Sequence, residues 1–285
     1  MAASPLRLQP SSPWNVDYAE NSCRLIRTFG EGQSKTVLMF ESDAPGNLDL
    51  LVVGKDLEAY GETVAAKFLP VQSKSFEGIP TMSKNGRPGA LWSSVTLLPD
   101  SAIKRLEAVA HQRKSKPGVR PPPTDLAEQA AERAERYEFA SRTAELEIDA
   151  HHTVVLETGS LGDAIRAFDK CSRDSLRDWG VDPDLEDKIV RPAWSPNVAW
   201  WLSSDDYPQG MIEAGEESEV KVRLLVDASG KVSKCTSFSN FQAPQFNQIA
   251  CENIIKRAKF EPAELADGTK VPSYYANDVI FTLQR

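Results

Sequence analysis

Residues 219–232 read Glu219-Val220-Lys221-Val222-Arg223-Leu224-Leu225-Val226-Asp227-Ala228-Ser229-Gly230-Lys231-Val232. Val220, Val222, Leu224 and Val226 fall on every second position, with Lys221, Arg223 and Leu225 between them. That period of two predicts a strand with one apolar face. Asp227 to Gly230 predicts a hairpin loop in which Gly230 supplies the positive φ. The chain then returns as a second strand over 231–238, with Val232 inward and Lys231 and Lys234 outward. Pro244 opens a helix whose Phe246, Ile249, Ala250, Ile254 and Ala258 recur at three- and four-residue spacing. Lys256, Arg257 and Lys259 close it, where the helix dipole favours cations. Asp267-Gly268 is a second tight turn, and Tyr274 to Leu283 alternates as a third strand. The layout is strand, strand, helix, strand, a sheet with a helix on one face.

Working back towards the start, residues 181–206 carry Pro183, Pro192 and Pro196 with Trp194, Trp200 and Trp201. This reads as a connector whose tryptophans lie against a surface. Before it, Thr153 to Leu156 is a β-branched run, and Thr158-Gly159-Ser160 turns the chain into a helix. Ser160 with Asp163 makes a capping-box pattern, Ile165, Phe168, Cys171 and Leu176 form its buried face, and Trp179-Gly180 stops it. Thr124 to about Glu145 predicts a charged surface helix with Leu126, Ala130, Ala134 and Tyr137 on a narrow stripe. Lys116 to Pro123 is a break of polyproline character. A helix from Asp100 or Ser101 carries Ile103, Leu106 and Val109 and ends in His111, Arg113, Lys114 and Lys116.

Residues 14–98 predict strands over Cys23–Phe29, Thr36–Phe40, Leu48–Val53 and Leu91–Leu98. Gly30-Glu31-Gly32, Ala44-Pro45-Gly46-Asn47 and Asn85 to Gly89 are the turns, so this half reads as a small sandwich or curled sheet. The expected fold class is α+β: a β-rich N-terminal domain with helices over 1–190, and a C-terminal module over 191–285.

The chain has 33 basic and 41 acidic residues, a net charge of −8, which argues against a nucleic-acid partner. No apolar run reaches the length of a membrane span. Met1-Ala2-Ala3-Ser4-Pro5 has neither a basic region nor an apolar core, so it is not an intact signal peptide. Two expectations follow: a cytosolic protein, or one whose signal has been removed.

Chemistry is sparse. Val155-Leu156-Glu157-Thr158-Gly159-Ser160 is similar to the apolar-Asp-Thr-Gly loop of aspartic proteases, but Glu157 stands where the Asp is needed and no second copy exists. His151 and His152, read as neighbours on a strand, point to opposite faces and cannot share a metal. There is no G-x-S-x-G elbow and no phosphate-cradling glycine loop. The expectation is no enzyme activity, no metal and no cofactor.

In residues 205–285 the chain resembles the TonB C-terminal domain family. The resemblance rests on Tyr207-Pro208, on Glu219-Val220-x-Val222 leading to Val226-Asp227-Ala228-Ser229-Gly230-Lys231-Val232, and on Ala258-Lys259-Phe260-Glu261-Pro262-Ala263. It continues with Asp267-Gly268, Val271 and Val279-Ile280-Phe281. The family often has Ser-Ser-Gly where this chain has Ser239-Asn240-Phe241. The membrane helix and long Pro-rich arm of a full energy transducer are absent from this sequence. The N-terminal half more faintly resembles halves joined to such domains in alphaproteobacterial envelope proteins, through Trp14 to Tyr18, Cys23-Arg24-Leu25 and Cys171 to Gly180.

The resemblance implies a periplasmic protein whose signal peptide or anchor lies outside this numbering. It implies a protein-binding or adaptor role in the Gram-negative envelope, with an envelope or outer-membrane protein or a second copy as partner. In that family the last strand is an edge to which a partner adds. Here it carries Tyr274, Tyr275, Ala276, Asn277, Asp278, Ile280 and Thr282. A TonB-type transducer component for transmembrane transport is the runner-up, and a hydrolase of unrecognised type the third reading. The four cysteines suit either buried thiols or two bridges in an oxidising compartment. Cys235 on the second strand and Cys251 on the covering helix are the expected pair, which leaves Cys23 and Cys171 for each other.

Overall fold

The computed structural model describes residues 4–112, 119–239 and 244–283. Arg113, Lys114 and Lys116, expected at a helix end, and the Asn240-Phe241 pair lie outside the described residues. The chain forms two compact units, Met1–Ala110 with Gln129–Ser175, and His111–Glu128 with Leu176–Arg285.

The first unit is built on strands β1 (Leu6–Leu8), β2 (Asn15–Tyr18), β3 (Cys23–Phe29), β4 (Thr36–Ser42), β5 (Asp49–Val53), β6 (Val64–Leu69), β7 (Phe76–Met82), β8 (Pro88–Trp92), β9 (Glu145–Asp149) and β10 (Thr153–Leu156). They form one sheet in the order β1-β10-β9-β6-β7-β8-β5-β4-β3-β2. Its ends meet: the Gly30 N–H donates to Gln9 O and the Ser11 N–H to Thr28 O, both at 2.8 Å. The sheet therefore curls towards a barrel, which removes most of the edge that would otherwise invite pairing. Helices α1 (Asp100–Gln112), α2 (Leu126–Arg142) and α3 (Gly162–Asp178) complete the N-terminal half.

Strands β3, β4 and β5 alternate as their sequence predicts, with Leu25, Phe29, Leu38, Phe40, Leu50 and Val52 on the inner face. Phe139 and Ala140 of α2 and Ile165, Phe168 and Cys171 of α3 enter the same core. Each large side chain so buried contributes about 1.5–3 kcal/mol.

Several expectations need correction. The strand read over Leu91–Leu98 ends at Trp92; Leu97 and Leu98 are buried, but in a loop. The charged helix stops at Arg142, and Glu145 begins β9. Its fully buried residues are Phe139 and Ala140; of the expected stripe, Tyr137 packs partly buried on the core and Leu126 is exposed. His151 and His152 sit in the turn joining β9 to β10, not on a strand; their rings are 6.2 Å apart and His151 packs on Tyr60 at 4.8 Å. The Ser160 hydroxyl accepts from the Gly162 N–H at 3.3 Å, while Asp163 pairs with Arg166 at 3.2 Å. Strands β6 and β7 have no counterpart in the sequence reading. Gly78 and Pro80 break the pattern of β7, because a Cβ at Gly78 would stand 2.4 Å from the Trp92 ring.

In the second unit, α4 (Pro183–Glu186), β11 (Ile189–Arg191) and α5 (Gln209–Ala214) precede β12 (Ser218–Val226), β13 (Val232–Ser239), α6 (Pro244–Arg257), β14 (Ala263–Leu265), β15 (Lys270–Val271) and β16 (Ser273–Phe281). The two sheets run β11-β14-β15 and β13-β12-β16. Val220, Val222, Leu224 and Val226 pack against Phe246, Ala250 and Ile254 of α6, the one-sided sheet that the alternation predicted. The connector is structured. Trp201 is 1% exposed within this core, and Trp194 exchanges main-chain hydrogen bonds with Glu261 at 3.0 and 2.8 Å. Arg120, from the proline-rich break, donates to Glu264 at 2.9 Å, Glu261 at 3.3 Å, Pro262 O at 2.6 Å and Pro192 O at 3.1 Å.

The Asp227 carboxylate caps the hairpin loop, accepting from the Ser229 and Lys231 N–H groups at 2.8 and 3.0 Å. Gly230 has φ +85°, and a Cβ there would meet Phe260 O at 2.2 Å. Gly230→Ala should therefore destabilise this unit by roughly 2–3 kcal/mol, left-handed strain adding to the clash. Urea unfolding checks it, and an unchanged midpoint would refute the close approach.

Candidate partner-binding edge

Strand β12 is central, and its register with β16 runs from Ser218 opposite Phe281 to Val226 opposite Ser273. Among the described residues β16 pairs with β12 alone and ends the sheet order β13-β12-β16. Its other side presents main-chain N–H and C=O groups to no strand among the described residues.

The register sorts the side chains. Ser273, Tyr275, Asn277, Val279 and Phe281 share the face of Val222 and Leu224, towards α6. Tyr274, Ala276, Asp278 and Ile280 share the opposite face with Leu225, Arg223, Lys221 and Glu219. Tyr275 packs on Trp201 at 5.7 Å and Phe260 at 5.1 Å, and burial pushes its phenol above the usual value. It packs, partly buried, against the core under α6. Asn277 donates from Nδ2 to Asp278 O at 3.0 Å, and Asp278 lies 3.9 Å from the Lys221 ammonium. Ile280 is 69% exposed. Thr282 follows the end of the strand.

Three residues absent from the sequence-derived set shape the start of this edge. Arg223, only 5% exposed, stacks its guanidinium 3.5 Å from the Trp179 ring centroid. Trp179 meets Tyr274 edge to face at 5.9 Å. Glu186 accepts from the Ser273 hydroxyl at 2.9 and 3.1 Å. In the sequence, Trp179 reads only as a helix stop; an Arg on the outward face of an amphipathic strand is the available hint.

Both cysteine pairs are bonded, Cys235 to Cys251 with Cα atoms 5.6 Å apart and Cys23 to Cys171 at 6.0 Å. The Glu157 carboxylate is engaged by Arg7 at 2.8 Å and by Gln9. Among the described residues, no group of three or more His, Cys, Asp or Glu side chains is arranged to hold a metal ion. No helix among them is long and apolar enough to cross a membrane.

No curated protein matches the chain significantly. Residues 204–283, which contain β12, β13, α6 and β16, match the family model of the Gram-negative bacterial TonB protein C-terminal. The sheet, its helix and its one-sided last strand thus belong to a TonB C-terminal domain, which this chain carries at residues 204–283.

Proposed function

We propose that this chain is a periplasmic binding or adaptor protein of the Gram-negative envelope, and that a protein partner adds a strand to β16. The observation that carries the reading is that, among the described residues, β16 pairs on one side only. Main-chain pairing would supply affinity, with Ala276, Asp278 and Ile280 on the outer face setting preference for the partner's side chains. Tyr274, Tyr275, Asn277 and Thr282 support the strand from its ends and inner face. The TonB-type match supports a binding module over a catalyst, and the transducer role in transmembrane transport is the alternative. On this reading residues 191–285 engage the partner, with Trp179 and Glu186 beside the edge, and the unit of Met1–Ala110 with Gln129–Ser175 has a separate function.

Proline at 276 and at 277 tests the edge. Adjacent residues of a strand point their N–H groups to opposite sides, so one proline removes a bond to β12 and the other an outward donor. One variant should lose about 3 kcal/mol of stability. The other should keep its fold and bind envelope proteins from periplasmic extract at least about tenfold more weakly. Full binding by the folded variant would refute strand addition. Receptor plug segments among the captured proteins would favour the transducer.

A further inference from the structure

The residues around Ser273 and Tyr274 bear on that edge. Trp179 lies on the outer face of β16, against Tyr274, and is held there by the Arg223 guanidinium. Glu186 lies towards the inner face, bonded to the Ser273 hydroxyl. The chain between Trp179 and Glu186 therefore passes from the outer face of β16 to its inner face near Ser273 and Tyr274. We propose that residues 179–186 are a pH-sensitive clasp that confines a docked strand to Ala276–Phe281 in acid and frees Ser273 and Tyr274 at alkaline pH. This rests on strand addition at β16.

Glu186 supplies the sensitivity. Burial raises its carboxyl from the ordinary 4.5 to about 7; the Ser273 hydroxyl opposes this, and the like charge of Asp187 adds to it. On the same short element, Asp184 is exposed and Asp182 caps the helix by accepting from the Asp184 N–H at 2.9 Å. The sheet packed against α4 offers Ile189, Ala263 and Val271. Its Arg191 faces Glu264 at 3.6 Å, and Lys188 and Lys270 are exposed. Among the described residues no cation pairs with the Glu186 carboxylate.

The sign follows from linkage. The closed clasp holds a proton that an opened, solvated Glu186 gives up between pH 4.5 and about 7. Closure is thus fully favoured below 4.5 and weakens as pH rises, by up to about 300-fold above 7.

The test has two arms. In the first, the chain is labelled with 5-fluorotryptophan, and the Trp179 resonance is assigned from Trp179→Phe. Its 19F shift should titrate between pH 4.5 and about 7 in the parent and stay flat in Glu186→Gln, which keeps a neutral acceptor for Ser273. A flat resonance in the parent, or the same titration in the variant, overturns the clasp. In the second arm, a synthetic peptide of residues 273–281 serves as the added strand, and amide exchange maps what it protects. Protection should cover 276–281 at pH 5 and extend to 273–274 at pH 8, without extension in Glu186→Gln. Protection of 273–274 already at pH 5 also overturns the clasp. Protection nowhere on β16, with the 19F titration intact, refutes docking and leaves the pH response standing.

Discussion

Replacing both Cys23 and Cys171 with alanine is expected to cost the first unit about 5 kcal/mol. The two residues are 148 positions apart, so the bridge restricts nearly the whole unfolded N-terminal half. On the chain-entropy account, the Cys235–Cys251 bridge, with a separation of 16, contributes only about 3 kcal/mol. The long bridge also pins α3 to β3, the strand next to the sheet's end. Thermal unfolding should show a fall of about 10–20 °C for the double variant, and a similar fall for the parent in reductant. An unchanged transition would mean that burial of Phe168 and Ile165 alone fixes the helix.

Trp201→Ala should destabilise the second unit by about 3–5 kcal/mol, the cost of emptying a large core position. Trp201 packs on Phe260 at 5.7 Å and on Tyr275 at 5.7 Å, so its loss also removes the seat of the last strand. Its indole N–H is buried and meets no acceptor among the described residues. Trp201→Phe keeps most of the apolar contact and discards that unsatisfied donor, so it should cost under about 1.5 kcal/mol. Urea unfolding of the two variants is the check. Equal losses would show that the indole makes a polar contact essential to the core. Trp200, 76% exposed, is the internal control and should change little.

The C-terminal module was legible because its information is local. Strand β12 writes its buried face at every second position, Asp227 and Gly230 write the turn, and α6 writes its buried stripe at helical spacing. The cysteine pairing was readable for the same reason, since Cys235 and Cys251 sit on elements with assignable faces. Elsewhere local information was thin. β7 carries Gly78 and Pro80, residues that argue against a strand, and only the Trp92 ring beside it explains the glycine. Glu145 to Asp149 followed a charged helix without a break that sequence alone marks.

What the amino-acid sequence determined by itself was where one-sided burial occurs, and hence the hairpin, its helix, the last strand and the α+β class. Only the tertiary structure decided the rest: the curling of the sheet through Gln9 and Gly30, the burial of Trp201, the capture of Arg120, and the stacking of Arg223 on Trp179. The physical reason is that periodicity reports which side of an element is apolar. Whether a polar or outward-facing side chain is packed depends on partners distant in the chain, as Glu186 shows at Ser273, 87 residues away.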